Sequence, residues 1–449
     1  MPKFKHYESG QFIAQAQNCL YNSKGLQRYF SALWMKGIKA DGVTGCGGID
    51  IVCIGDSYTE GSGLTNDVQG FGINDNGHVQ AWPNRLRKII QPAMNPAGVA
   101  GGHGFFMADK GSGSSARTPT GATSASAGLW CEKPFSGWNG SSGEGGGYAR
   151  QLCTFNHTAG QRYVLYDFNV AEFPITHIQM CGAASGVCKV DISLTPGNSN
   201  PIAIGAGTQF AGTLTLDGGT DFWGAVSNIG NVTAPSANWR LQVYNQNSSS
   251  EIFLSGFMIY NGDTTCGVRV HNMGSASSSA DMWANEDTQS LAGMANLGRS
   301  AADGSTTYPG QNARLVIIML GANDWGGTKA AFKTDIQAIL DLVLAWTSAP
   351  AVLLVAQTPR YDGAADLWTS VQPFHDALYE ICDNATYSAK VALLDMWKFY
   401  NNLRPQRIAA QYGAINTNDS VHPSISGHGD IAKAIAACVV PRSLDLALP

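Results

Sequence analysis

The stretch Ile49-Asp-Ile-Val-Cys-Ile-Gly-Asp-Ser57 decides how the rest of the chain is read. Its first six residues are mostly apolar without alternation and stop at Gly55, the pattern of a short strand covered on both faces of a parallel sheet. A serine just beyond such a strand stands at the sheet's C-terminal crest, where open α/β folds hold their ligands. Outward from this point a helix is expected at about residues 79–90. After residue 312 the alternation is plain: strand at 314–320, amphipathic helix at 329–346, strand at 351–356, helix at 367–382, strand at 391–394 and helix at 425–438. Strand and helix in turn imply a parallel α/β sheet joined by right-handed crossovers.

The middle of the chain follows another rule. Runs at 190–194, 213–216 and 239–243 alternate apolar and polar residues with period two, between clusters of Gly, Asn, Pro and Asp. With further runs at 163–168, 175–181, 222–226 and 252–259, the spacing is that of an antiparallel β-sandwich. The expected organisation is an N-terminal helical or irregular extension (1–48), an α/β domain in two pieces (49–96 and 265–449), and an insertion (97–264). Within the insertion, a Gly/Ser-rich loop region precedes an all-β sandwich at about 150–262.

Composition narrows the function. Hydrophobic residues make up 44% and charged residues 14%, so a core can form and disorder is excluded. A formal net charge of -5 with no basic cluster disfavours nucleic acid as a partner. The longest purely apolar strand-like stretch, 315–320, is far below the roughly 20 residues a membrane helix requires. Residues 1–11 lack the apolar core of a secretory signal, so the compartment stays open, with an extracellular or virion-associated location among the readings. Ten cysteines without a C-x-x-C pair disfavour zinc, and no metal or other cofactor is expected. Cys53 and Cys438 read as buried thiols, whereas Cys181 and Cys188 flank a Gly-Ala-Ala-Ser-Gly turn and would pair across a hairpin in an oxidising compartment.

Three short motifs carry chemistry. Gly55-Asp56-Ser57 places a hydroxyl at the crest. Asp419-Ser-Val-His422-Pro423 lets one loop offer a carboxylate to an imidazole, fixing the tautomer that accepts a serine proton, with Pro423 suited to the first turn of the next helix. Gly321-Ala-Asn323-Asp324 follows a strand and can aim an amide at a developing oxyanion. Taken singly, each also reads as an ordinary turn or helix cap.

Together, in the order Ser, Asn, Asp, His, these blocks resemble the SGNH hydrolase superfamily, the GDSL-like esterases. The resemblance implies a flavodoxin-like three-layer fold with a parallel sheet, no metal, and ester hydrolysis by a triad of Ser57, His422 and Asp419. It also implies an oxyanion hole built from the Ser57 N–H, a glycine N–H and the Asn323 side chain. For the glycine, His271-Asn272-Met273-Gly274 after the strand-like 268–270 is favoured over Gly101-Gly102-His103-Gly104. Asp56 and Trp325 are assigned to substrate contact, Trp325 being equally readable as core. His103, His157, His177 and His375 read as surface or packed residues, and His428 as a helix-face residue. Trp130, Trp138 and Trp223 lie in the insertion, where they either fill a sandwich core or stack on sugar rings. The arrangement is similar to modular carbohydrate O-acetylesterases of bacteria and phage tailspikes, implying an acetylated poly- or oligosaccharide substrate. Competing expectations are a lipase, arylesterase or thioesterase on the same triad, and a non-catalytic glycan-binding or structural virion protein. The oligomeric state stays open.

Overall fold

The computed structural model describes residues 9–35, 48–61, 64, 80–95, 102–107, 153–155, 162–169, 176–184, 187–196, 209–217, 222–223, 227–228, 238–245, 252–261, 267–274, 278–286, 313–346, 348–359, 367–400 and 421–441. The N-terminal segment supplies α1 (Ser9–Asn18), β1 (Leu20–Tyr21) and α2 (Gln27–Met35). The strand read first is β2 (Ile49–Gly55), followed by the short α3 (Ser57–Glu60) and by α4 (Trp82–Met94). Ten strands follow: β3 (Gly102–Met107), β4 (Cys153–Phe155), β5 (Arg162–Asn169), β6 (His177–Ala184), β7 (Val187–Pro196), β8 (Gln209–Asp217), β9 (Phe222–Trp223), β10 (Ser227–Asn228), β11 (Asn238–Asn245) and β12 (Ile252–Tyr260). The chain then returns to alternation through β13 (Val268–Gly274), β14 (Ala313–Met319), α5 (Lys329–Leu344), β15 (Ala351–Ala356), α6 (Leu367–Asp383), β16 (Val391–Asp395), α7 (Met396–Phe399) and α8 (Ile425–Val439).

The main sheet runs β1-β16-β15-β14-β2-β13-β3-β12-β6-β10, with the strands from β16 to β13 parallel. Every residue of β2, β13, β15 and β16 is buried, because helices cover both faces. Ile51, Cys53, Leu315 and Leu353 pack toward Leu86 and Ile90 of α4 and Ile431 and Ile435 of α8. Val52, Ile54, Val316 and Leu354 pack toward Ile336 and Leu340 of α5 and Leu378 and Ile381 of α6. Three layers result, and strands with two apolar neighbours lose the polar alternation of a half-exposed strand.

The N-terminal segment is tied into this unit. β1 pairs antiparallel with β16, Tyr29 and Leu33 of α2 join the helix-covered core, and the Asn22 amide donates to the carbonyls of Ser388 and Val391 at 2.8 and 2.7 Å. Asn22 is left-handed (φ 52°), a conformation asparagine tolerates better than most residues.

The seven alternating runs of the insertion all appear as strands, yet their grouping differs from the expected separate sandwich. β3 lies beside β13, meeting it in parallel at Asn272 and Phe106, and pairs antiparallel with β12 on its other side. β12 pairs with β6, so the parallel sheet continues without a break into antiparallel strands. β5, β11, β7 and β8 form a second, four-stranded sheet, whose β8 approaches β6 and β10. Gly102 to Gly104, expected within a loop region, open the joining strand. At Gly104 (φ +91°) an added Cβ would stand 2.1 Å from the Val270 carbonyl oxygen, so only glycine lets β3 approach β13 this closely. β6 and β7 belong to different sheets, so Cys181 and Cys188 do not face each other across a paired hairpin.

Candidate active site

Parallel register brings three strand ends level: Gly274 of β13 and Met319 of β14 both lie opposite Gly55 of β2. Two of these positions cannot carry a side chain. A Cβ on Gly55 would lie 2.6 Å from the Met319 carbonyl oxygen, and one on Gly274 would lie 2.1 Å from the Glu60 nitrogen. The two glycines therefore let α3 settle directly onto the ends of β2 and β13. Ser57 is the first residue of α3 and is 7% exposed. Its N–H has no intrahelical acceptor at that position.

Asp56 is the cap of α3, its Oδ1 accepting from the Tyr58 N–H at 2.9 Å. Its Oδ2 accepts from the Gln357 amide at 2.7 Å, just past β15, and the Ala322 N–H also donates to this carboxylate. Burial pushes the carboxyl up to about 7 against the pull of these hydrogen bonds, and the nearby Asp324 charge adds to the rise. Asp56 is wholly buried. The expected substrate contact is therefore corrected: its oxygens are spent on binding three crest segments together.

Asn323 is exposed in the turn after β14, which Gly321 opens with φ +133°. Its Nδ2 donates to the Ser278 carbonyl at 2.8 Å, leaving the second amide hydrogen for another acceptor. Asp324 Oδ1 accepts from the Ala280 N–H at 2.9 Å, and burial raises this carboxyl to about 6, with Asp335 and Asp281 adding to the rise. The Asn block thus pins the segment that follows β13. The Gly274 N–H donates to Asn272 Oδ1 at 3.0 Å. Trp325 is half-buried and packs on the α5 and α6 side of the core.

His422 lies beside the Ser57 turn, its ring 6.0 Å from that of Tyr58. Pro423 precedes the cap of α8 instead of opening its first turn: the cap is Ser424, whose Oγ accepts from the Gly427 N–H at 3.2 Å. Asp419 lies outside the described residues. His428, expected on a helix face, is fully buried and accepts from the Trp82 N–H at 3.1 Å through Nδ1. Burial first, then the Arg85 and His422 charges, push it down to about 3, so it stays neutral. His375 is packed against Trp397 with rings 5.8 Å apart. Among the described residues no group of three or more His, Cys, Asp or Glu could hold a metal ion, and no helix is long and apolar enough to cross a membrane. Tyr58 and Gln357 were not singled out from sequence, since nothing local distinguishes them.

The profile of the GDSL-like lipase/acylhydrolase family matches residues 240–435. That span includes Asn323, Asp419 and His422 and leaves Ser57 outside, although β2 pairs directly with both β13 and β14. Among solved structures, one described as a peptidoglycan O-acetylesterase in action aligns over 92% of this chain and 94% of its own, with TM-score 0.53 and 13% identity. A family two carbohydrate esterase from Clostridium thermocellum in complex with cellohexaose is 13% identical over 63% of this chain and 92% of its own, at TM-score 0.25. A family two esterase from Cellvibrio japonicus is 10% identical over 64% and 89%, at 0.26. No curated protein sequence matches. The protein is an acyl ester hydrolase on a three-layer α/β scaffold. Within that class, its residues 240–435 form a GDSL-like lipase/acylhydrolase domain.

Proposed function

We propose that the protein removes small acyl groups, acetyl foremost, from a carbohydrate, with Ser57 as nucleophile, His422 as general base and Asp419 as the carboxylate that orients it. The observation that carries this reading is the level ending of β2, β13 and β14, which brings the Ser57 turn and the Asn323 turn to one crest, with His422 beside Tyr58. In the first step Ser57 Oγ attacks the ester carbonyl and its proton passes to His422 Nε2. The carbonyl oxygen gains a negative charge, met by the Ser57 N–H and the uncommitted Nδ2 hydrogen of Asn323. Collapse of this intermediate breaks the ester bond, and the sugar oxygen leaves with the proton from His422. Water then attacks the acyl-serine by the same route and releases the carboxylic acid. Gly274 was the expected third donor, but its N–H already donates to Asn272. We assign it instead the role of making room for α3.

The substrate class rests on likeness to the peptidoglycan O-acetylesterase structure, which spans nearly the whole chain, the insertion included. The insertion, expected as an all-β sandwich, is proposed as the surface that presents the glycan. Acetate release from acetylated polysaccharides and from O-acetylated peptidoglycan by the intact protein and by Ser57→Ala tests the proposal. Loss of release in the variant is expected. Faster turnover of long-chain than of acetyl model esters would replace it with a lipase reading.

A further inference from the structure

The Ser57 turn and the His422 loop come from opposite ends of the chain, and one side chain spans them. Tyr58 is wholly buried. Its backbone N–H donates to Asp56 at 2.9 Å, fixing it to the turn that carries Ser57. Its hydroxyl donates to the Val421 carbonyl at 2.6 Å, across 363 positions of sequence. Val421 is joined to His422 by that same carbonyl, so the hydrogen bond restrains the peptide plane that leads into the imidazole. The Tyr58 ring also stands 6.0 Å from the His422 ring, inclined at 50°. One residue therefore holds the hydroxyl-bearing turn at its backbone and the imidazole-bearing loop at its phenol oxygen.

We infer that Tyr58 is a positioning residue that sets the separation of Ser57 and His422. The inference rests on the reading of those two as nucleophile and base. Proton transfer requires heavy atoms within hydrogen-bond reach, and a displacement of about 1 Å costs on the order of a hundredfold in rate. A phenol fixed at both ends defines that separation more tightly than packing alone, because a hydrogen bond is directional and an apolar contact is not.

The test compares Tyr58→Phe and Tyr58→Leu with the full-length wild type on 4-nitrophenyl acetate, with active sites counted by a fluorophosphonate that labels the reactive serine. Phenylalanine keeps the ring, and Val421 is half-exposed, so its carbonyl can turn to water and the fold should survive. The expected result is a kcat per labelled site about ten- to a hundredfold lower, with KM little changed and the melting transition retained. Tyr58→Leu should lose at least as much. A wild-type kcat per labelled site in Tyr58→Phe would overturn the inference. So would fewer labelled sites of unchanged kcat, the outcome of a packing role. Ser57→Ala and His422→Ala run in parallel: activity in either would remove the catalytic reading itself, whereas two inactive controls beside a fully active Tyr58→Phe would remove only the role of Tyr58.

Discussion

Gln357, just past the end of β15, donates its amide at 2.7 Å to the carboxylate of Asp56. Two crest turns whose strands are not paired are thereby locked together, since β14 lies between β15 and β2. The carboxylate at this junction is buried, and its protonation is coupled to folding.

Burial raises the Asp56 carboxyl to about 7. An acid weaker in the folded protein than in the unfolded chain favours folding fully below the ordinary carboxylate range, and that contribution fades as pH rises through 7. The span corresponds to on the order of 4 kcal/mol. Asp56→Asn removes the titration while keeping the size. Chemical denaturation at pH 5 and pH 8 should therefore show a smaller difference in the variant than in the wild type. Equal pH dependence in both would mean that Asp56 is ionised throughout.

Asp50 should act in the opposite sense. Its burial favours the neutral acid, but Arg269 at 2.6 Å and His271 at 2.9 Å overcome that and hold the carboxyl well below the usual range. The associated stability is present above the ordinary carboxylate range and is lost as pH falls below it. Asp50→Ala leaves the buried Arg269 without its carboxylate and should cost about 3–5 kcal/mol in urea unfolding. A loss under about 1 kcal/mol would show that the ion pair adds little over its desolvation cost.

Asn323→Ala should lower kcat by about a hundred- to a thousandfold and leave KM nearly unchanged. In the proposed oxyanion role the amide would meet the substrate oxygen mainly once negative charge has formed. Steady-state kinetics on an acetyl ester decide this, and a change confined to KM would move Asn323 to ground-state binding.

Gly274→Ala and Gly104→Ala separate two kinds of tight glycine. Each added Cβ would meet backbone at 2.1 Å, Glu60 nitrogen in the first case and Val270 oxygen in the second. The first should displace α3 and with it Ser57, lowering kcat per folded molecule. The second lies within the sheet and should lower the melting temperature while folded molecules keep their kcat. Equal kcat losses in both would mean that strain anywhere in β13 reaches the crest.

Replacing residues 97–264 by a short Gly-Ser linker should leave the protein insoluble. The change strips β3, and β12 with it, from the side of β13 and bares an apolar edge. A soluble, active product would show that the parallel strands alone are self-sufficient.

The parallel sheet was legible because a strand buried on two faces and a helix buried on one leave different apolar periods, as β15 and α5 do. The three motif blocks were legible because a crest turn is local. What a strand pairs with is not local: β12 alternates like any half-covered strand, and nothing in its sequence says that β3 will join it to β13. Gly102-His-Gly104 reads as a loop because glycine removes the apolar signal where the backbones approach most closely. Tyr58 and Gln357 escaped notice for a related reason. Their bonds reach partners 363 and 301 positions away, and a tyrosine or glutamine taken alone carries no mark of such a partner.

The central position of β2 has a consequence for synthesis on the ribosome. Ile49 has no neighbour until Val268 emerges, and Asp50 meets none on the other side until Ala313 does. Throughout that interval this mostly apolar strand lacks both of its parallel neighbours, while the antiparallel strands of the insertion emerge and can pair among themselves. Once paired, those strands can offer β3 as an edge beside which β13 is able to add. β14 then closes the second edge of β2, β15 and β16 extend the sheet, and the His422 loop arrives last, so the proposed crest is complete only late in translation.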